Sequence, residues 1–95
     1  MLSLYFPHFP LGRLVATPAA LRVIPANEWE NAIRRHLNCD WGDVCAADKM
    51  SNDRALHDGT RLFSEYHTSG HGGRKFWIIT EADRSATIIL LPEEY

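Results

Sequence analysis

From Thr60 onward the apolar residues of this chain stop recurring at helical spacing and begin to alternate. That switch restricts the fold more than any other feature. Leu62, Ser64, Tyr66 and Thr68 share one side of an extended segment, and Phe63, Glu65 and His67 share the other. Ser69 to Gly73 (Ser-Gly-His-Gly-Gly) is a flexible hairpin turn. Arg74 to Thr80 holds Phe76, Trp77, Ile78 and Ile79, the residue types that favour a pleated, half-buried surface. Glu81 to Ser85 is a second turn, and Ala86 to Leu91 a third strand that Pro92 ends. Strands joined by short turns pair antiparallel, so this half is expected to be a three-stranded meander.

The preceding half reads as short helices. Thr17-Pro18 is a helix start, because threonine accepts from an early backbone N–H and proline at the first position loses no needed donor. That helix is expected over Ala19–Val23, ending before Pro25. Asn27 with Glu30 three residues later has the spacing of a capping box. Trp29, Ile33 and Leu37 then share a face, Arg34, Arg35 and His36 complement the dipole of the last turn, and Asn38 is a left-handed stop. A third helix is expected over Cys45–His57, with Val44, Ala47, Met50 or Ser51, Ala55 and Leu56 inward and Gly59 as its stop. The fold class is therefore α+β: short N-terminal helices on a three- to four-stranded antiparallel sheet, residues 11–16 supplying the fourth strand. Residues 1–10 are expected as an arm carrying Leu4, Tyr5, Phe6 and Phe9 between Pro7 and Pro10, and residues 11–95 as one α+β domain.

Composition removes classes. The 95 residues are 45% hydrophobic and 23% charged, which excludes a disordered chain. No apolar run reaches the length of a membrane-spanning helix. The net charge of −2 argues against a generally basic nucleic-acid binder. Two cysteines make no disulfide scaffold, and the N-terminus lacks the basic start of a signal peptide. The expected location is cytoplasmic.

The candidate chemistries are each weaker than a plain structural reading. His36, Cys39 and Cys45, with His57, His67 or His71, could supply zinc ligands, yet no paired Cys-x-x-Cys or His-x-x-x-His knuckle is present. A cysteine nucleophile needs a neighbouring histidine and an oxyanion site, and nothing shapes the latter. The glycines of 70–73 precede a strand rather than a helix, so they read as a turn and not as a phosphate loop. Glu81 and Asp83 beside Arg84 read as a hydrogen-bonded turn more readily than as an acid–base pair. No cofactor, metal or catalytic residue is expected.

Charge distribution is more informative. Asp40, Asp43, Asp48, Asp53 and Asp58 face only Lys49 and Arg54 in their segment; Glu81, Asp83, Glu93 and Glu94 face only Arg84 in theirs. The bases gather elsewhere, as Arg34-Arg35 and Arg74-Lys75. Acidic patches steer toward basic surfaces. The expected contact residues are Asp40, Asp43, Asp48, Asp53, Asp58, Glu81 and Asp83, with Trp41 as an aromatic contact, although closing the small core is the more ordinary use of such a ring. The alternative is a small nucleic-acid-binding or regulatory protein using Arg34, Arg35, Arg74, Lys75 and aromatics on the sheet.

The stretches LGRLVATPAAL (11–21), GDVC (42–45), WIITEADRS (77–85) and LLPEEY (90–95) resemble small bacterial proteins of plasmids and other mobile elements, the plasmid-related proteins. That resemblance implies no active site. It implies a mobile-element setting, in which small acidic proteins counter host defence. The partner so implied is a CRISPR-Cas effector complex, and the function that of a non-enzymatic anti-CRISPR inhibitor.

Overall fold

The computed structural model describes residues 8–70 and 73–95. Strand β1 (Arg13–Ala16) leads into helices α1 (Pro18–Val23), α2 (Ala26–Leu37) and α3 (Ala46–Asp58). Strands β2 (Leu62–His67), β3 (Lys75–Thr80) and β4 (Ala86–Leu90) follow, and a 3-10 turn covers Pro92–Glu94. The expected arm 1–10 lies outside the described residues as far as position 7. Within the remainder Phe9 is buried and the His8 amide donates to the Leu37 carbonyl at 3.0 Å.

The meander is present as β2–β3–β4, antiparallel throughout. The sheet as a whole is mixed, in the order β1-β4-β3-β2, because β1 runs parallel to β4. That corrects the purely antiparallel expectation. Two turn-joined hairpins leave the outer edge of β4 open. β1 fills it with the direction set by the helix that follows: the Thr17 amide donates to the Ile89 carbonyl at 3.0 Å as the chain enters α1. A direction fixed by a tertiary contact leaves no mark in a four-residue strand.

Alternation then sorts the side chains. Leu62, Ser64, Tyr66, Phe76, Ile78, Thr80, Thr87 and Ile89 lie on the helix side and are buried. Phe63, Glu65, Trp77, Ile79, Ile88 and Leu90 lie on the other side. Ala20, Ile24, Ala32, Ile33, Leu37, Trp41 and Ala55 complete the core beneath the helices.

The helix starts and stops divide. Thr17 caps α1 as its sequence requires, its side chain accepting from the Ala20 amide at 3.1 Å. Asn27 does not cap α2. The helix begins at Ala26, two residues before the start an Asn27 cap would give, behind Pro25, which makes no side-chain cap. Asn38 at its C-terminus keeps φ −95, and the left-handed residue is Cys39 at φ 63. Gly59 closes α3 in the left-handed region, at φ 69.

The inner face of α3 also differs from its apolar pattern. Ala47, Met50 and Ser51 are exposed, Met50 by 62%, and Val44 and Leu56 are only partly covered. The buried pair is Asn52 and Ala55. Asn52 sets the roll of the helix: its amide group accepts from the Phe63 N–H at 3.0 Å and donates to the Phe63 carbonyl at 2.6 Å. Those are backbone groups on the open edge of β2. Residues 41–43 cover the next position along that edge, through Glu65 N–H to Trp41 O at 3.1 Å and Asp43 N–H to Glu65 O at 2.8 Å. A sheet edge left bare invites association, and this one is occupied at Phe63 and Glu65 by local chain. Gly42 makes the close approach possible. It has φ +76, and a Cβ there would stand 2.0 Å from the Glu65 carbonyl oxygen.

Candidate functional site

The expected site residues fall into three places. Asp40 and Asp43 lie in the loop that covers the edge of β2. Asp40 pairs with Arg35, whose Nε donates at 2.8 Å, and that guanidinium holds the Asp40 carboxyl below the usual carboxylate range. Asp43 accepts from or shares a proton with His67 Nδ1 at 2.7 Å. Arg35 neutralises Asp40 locally. Trp41 is 3% exposed and its indole N–H donates to Asp53 at 3.0 Å, so it belongs to the core rather than to an accessible surface.

Asp48, Asp53 and Asp58 are five residues apart along α3, which at 3.6 residues per turn puts them on different faces. They form no stripe. Asp48 and Asp58 have no hydrogen bond or ion pair among the described residues.

The end of α3, which carries Asp58, lies beside the β3–β4 turn, which carries Glu81 and Asp83. The fold achieves this through Arg84, a non-glycine residue at φ 61. Its guanidinium donates to the Ala55 and Thr60 carbonyls, at 3.0 Å and 2.6 Å, and so ties the β3–β4 turn to the end of α3. It also lies 5.9 Å over the Phe9 ring. The left-handed conformation costs about 1–2 kcal/mol for an ordinary residue, and several charge-assisted bonds to carbonyls offset it. Asp83 accepts from the Ser85 amide at 2.9 Å, and that bond lowers its pKa, keeping it ionised. Glu81 stands 3.9 Å from Arg61. Two acidic segments remote in sequence are therefore neighbours, with Arg84 turned to backbone carbonyls and Arg61 paired with Glu81.

The expected basic pairs are spent differently. Arg35 is held by Asp40 and its guanidinium lies 4.8 Å over the Tyr66 ring. Arg74 pairs with Glu93, and Lys75 stands 4.0 Å from Glu65. Of the four, only Arg34 has no acidic partner among the described residues.

The metal and nucleophile candidates do not converge. Among the described residues no three His, Cys, Asp or Glu side chains are placed to hold an ion. Burial raises the Cys39 thiol pKa, with the Asp53 charge adding to it, so the thiol stays protonated. Cys45 is exposed at the start of α3, and His71 lies outside the described residues.

His36 is the main surprise. Its place in the last turn of α2 predicts a positive charge, yet it is fully buried, and burial together with the charge of Arg84 lowers its pKa to about 3. It is neutral. Its Nδ1 lies 2.6 Å from Ser64 Oγ and its Nε2 2.9 Å from Thr80 Oγ1. Thr80 Oγ1 lies 2.8 Å from Thr87 Oγ1, and Thr87 donates to the Leu11 carbonyl at 2.8 Å. Counting protons fixes every direction. Thr87 has one proton and gives it to Leu11, so Thr80 donates to Thr87. Nε2–H must then donate to Thr80, and Ser64 donates to the bare Nδ1. Each hydroxyl is used once and no buried donor is stranded. Phe9 and Trp41 seal the ring, with centroids at 5.3 and 5.5 Å. This Ser–His–Thr chain has no route to a substrate; it holds helix α2 onto strands β2, β3 and β4.

A second feature lies on the other side of the sheet. A cavity of about 280 Å³ is lined by Asp48, Arg61, Phe63, Trp77, Ile79 and Tyr95. Trp77 meets Phe63 edge-on at 4.9 Å and Tyr95 at 5.6 Å. Its indole N–H donates to Glu65 at 2.9 Å. Arg61 donates to the Tyr95 hydroxyl at 2.6 Å and lies 5.4 Å over its ring. The strand alternation predicts that Phe63 is opposite Tyr66 in facing; it does not reveal that Tyr95 folds back to wall a groove.

No family model, curated protein or solved structure matches the chain. The mobile-element resemblance gains nothing from these comparisons, and the fold and its surfaces carry the functional reading.

Proposed function

We propose that this chain is a non-enzymatic binding protein whose acidic end occupies a basic site on a protein partner, in the manner of an anti-CRISPR inhibitor acting on a CRISPR-Cas effector complex. The observation that supports this reading is that Arg84 ties the turn carrying Glu81 and Asp83 to the end of α3 that carries Asp58, spending its charge on the Ala55 and Thr60 carbonyls. Of these acids Glu81 has Arg61 as a partner, and Asp58 and Asp83 have no basic one among the described residues, so this end carries a local negative field even though the whole chain carries only −2. The competing nucleic-acid reading is disfavoured because Arg35, Arg74 and Lys75 each have an acidic partner.

Purified protein is to be tested for retention by immobilised CRISPR-Cas effector complexes at low salt. Retention is expected to fall as the Debye length shrinks from about 30 Å at 0.01 M to about 8 Å at 0.15 M. The double variant Asp58→Lys, Glu81→Lys is expected to lose it. Absence of retention at low salt rejects this partner. A steeply salt-dependent shift of DNA or RNA with no retention would favour the nucleic-acid alternative.

A further inference from the structure

We infer that the groove on the outer face of the sheet is the anchor socket for a lysine side chain of the protein partner, an inference that rests on the acidic-binding reading and gives it a specific contact. The groove joins two elements that a cationic side chain needs. Its floor and walls are apolar and aromatic: Phe63, Trp77, Ile79 and Tyr95. The four-carbon stem of a lysine lies favourably on such a surface. Phe63 and Tyr95 stand at 81° and 71° to the plane of Trp77, so the rings form a box rather than a flat platform. A cation held near ring faces is attracted by their quadrupoles, and most strongly by that of tryptophan.

The second element is Asp48. It lines the groove and has no hydrogen bond or ion pair among the described residues. A carboxylate beside an aromatic box favours an ammonium group over a neutral or anionic one. The one cation already in the groove shows the same preference in miniature. Arg61 lies over the Tyr95 ring, where the Tyr95 hydroxyl and Glu81 also engage it. That leaves Asp48, Phe63 and Trp77 for an incoming charge. A free base is unfavourable here because the rings meet edge-on rather than offering parallel faces for stacking.

The test follows the indole N–H resonance of Trp77 and the backbone amides of the whole chain by nuclear magnetic resonance. The probe is a tetra-lysine peptide; its tetra-acetyllysine counterpart has the same stems without the charge. Tetra-lysine is expected to shift the Trp77 signal saturably, and the acetylated peptide is expected not to. Asp48→Asn is expected to weaken that binding about fivefold, a loss in the range of one cation contact, while leaving the dispersion of the spectrum unchanged. Tyr95→Ala reads the opposite wall and is expected to weaken it similarly. Equal shifts with both peptides would make the groove a neutral apolar socket and overturn the inference. A Trp77 shift with oligo-deoxythymidine and none with tetra-lysine would overturn it in favour of base binding. Shifts confined to Asp58, Glu81 and Asp83 would reject the socket and leave the acidic-end reading standing. No shift at either place would reject the socket and count against that reading as well.

Discussion

The two faces of the sheet are built from the same three strands and treat polarity in opposite ways. On the helix side, Ser64, Thr80, Thr87 and His36 are buried beside Ile78, Ile89 and Tyr66, and each polar atom has a partner. On the outer side, Trp77 and Phe63 are partly exposed, Tyr95 is 69% exposed, and Asp48 has no partner among the described residues. A satisfied polar group indoors specifies a packing; an unsatisfied one at a groove is available to another molecule. The difference separates what holds this chain together from what it can offer.

The largest expected effect tests the inner face. Phe76→Ala should cost about 3–5 kcal/mol, the range for truncating a buried aromatic ring, measured by chemical denaturation. Phe76 is 1% exposed and packs on Tyr66 with centroids 5.9 Å apart. A loss below about 1 kcal/mol would erase the contrast between the faces.

Acid is the next probe. The pKa of His36 falls from 6.5 to about 3 on folding, because burial and the nearby charge of Arg84 oppose protonation. Above pH 6.5 neither state binds the proton and the contribution to stability is complete. Between 6.5 and about 3 the unfolded chain takes up a proton that the folded chain excludes. Stability should therefore fall as pH falls, by about 1.4 kcal/mol per unit from this residue. His36→Gln, compared with the parent over that window, should remove that part of the slope. An unchanged slope would mean that His36 is not sealed.

Removing the edge clamp should have a smaller effect. Asn52→Ala strands the Phe63 N–H and carbonyl and should cost about 1–3 kcal/mol, with faster exchange of the Phe63 amide. The outer face should respond least. Tyr95→Ala should change unfolding free energy by no more than about 0.5 kcal/mol, as exposed positions do, despite its effect on the groove. Asp40→Asn should likewise cost less than about 1 kcal/mol, because its pair with Arg35 is surface-exposed. If Tyr95→Ala proved as damaging as Phe76→Ala, the groove would be core and not a socket.

Particular residues show how far the sequence could be read. The alternation of 62–67 put Leu62, Ser64 and Tyr66 on one common side, and packing against the helices made that side the buried one. The Thr17-Pro18 start and the Gly59 stop were legible because capping chemistry is local. Asn27 failed as a cap, since Pro25 ends its own turn and lets the helix start at Ala26. The expected inner face of α3 held at Ala55, with Val44 and Leu56 packed on the core, and missed at Ala47, Met50 and Ser51 for a different reason. Its apolar residues are too sparse to set a roll, and a side-chain clamp from Asn52 to the backbone of β2 set it instead. The acidic segments were visible as composition, but that they are neighbours depends on Arg84 reaching α3. The aromatic groove had no local signal, because it needs Tyr95, Phe63 and Trp77 from three different segments.

The α+β order, the antiparallel meander, the alternation of its faces and the polarised placement of charge all follow from the amino-acid order alone. Each of these depends on periods or caps within a few residues. Long-range contacts were needed to show that β1 lies parallel to β4, that His36 is a neutral buried link and not a surface cation, and that the outer face carries a groove whose Asp48 carboxylate has no partner among the described residues. These depend on contacts between residues far apart in the chain, where hydrogen-bond satisfaction and packing, rather than local propensity, select the outcome.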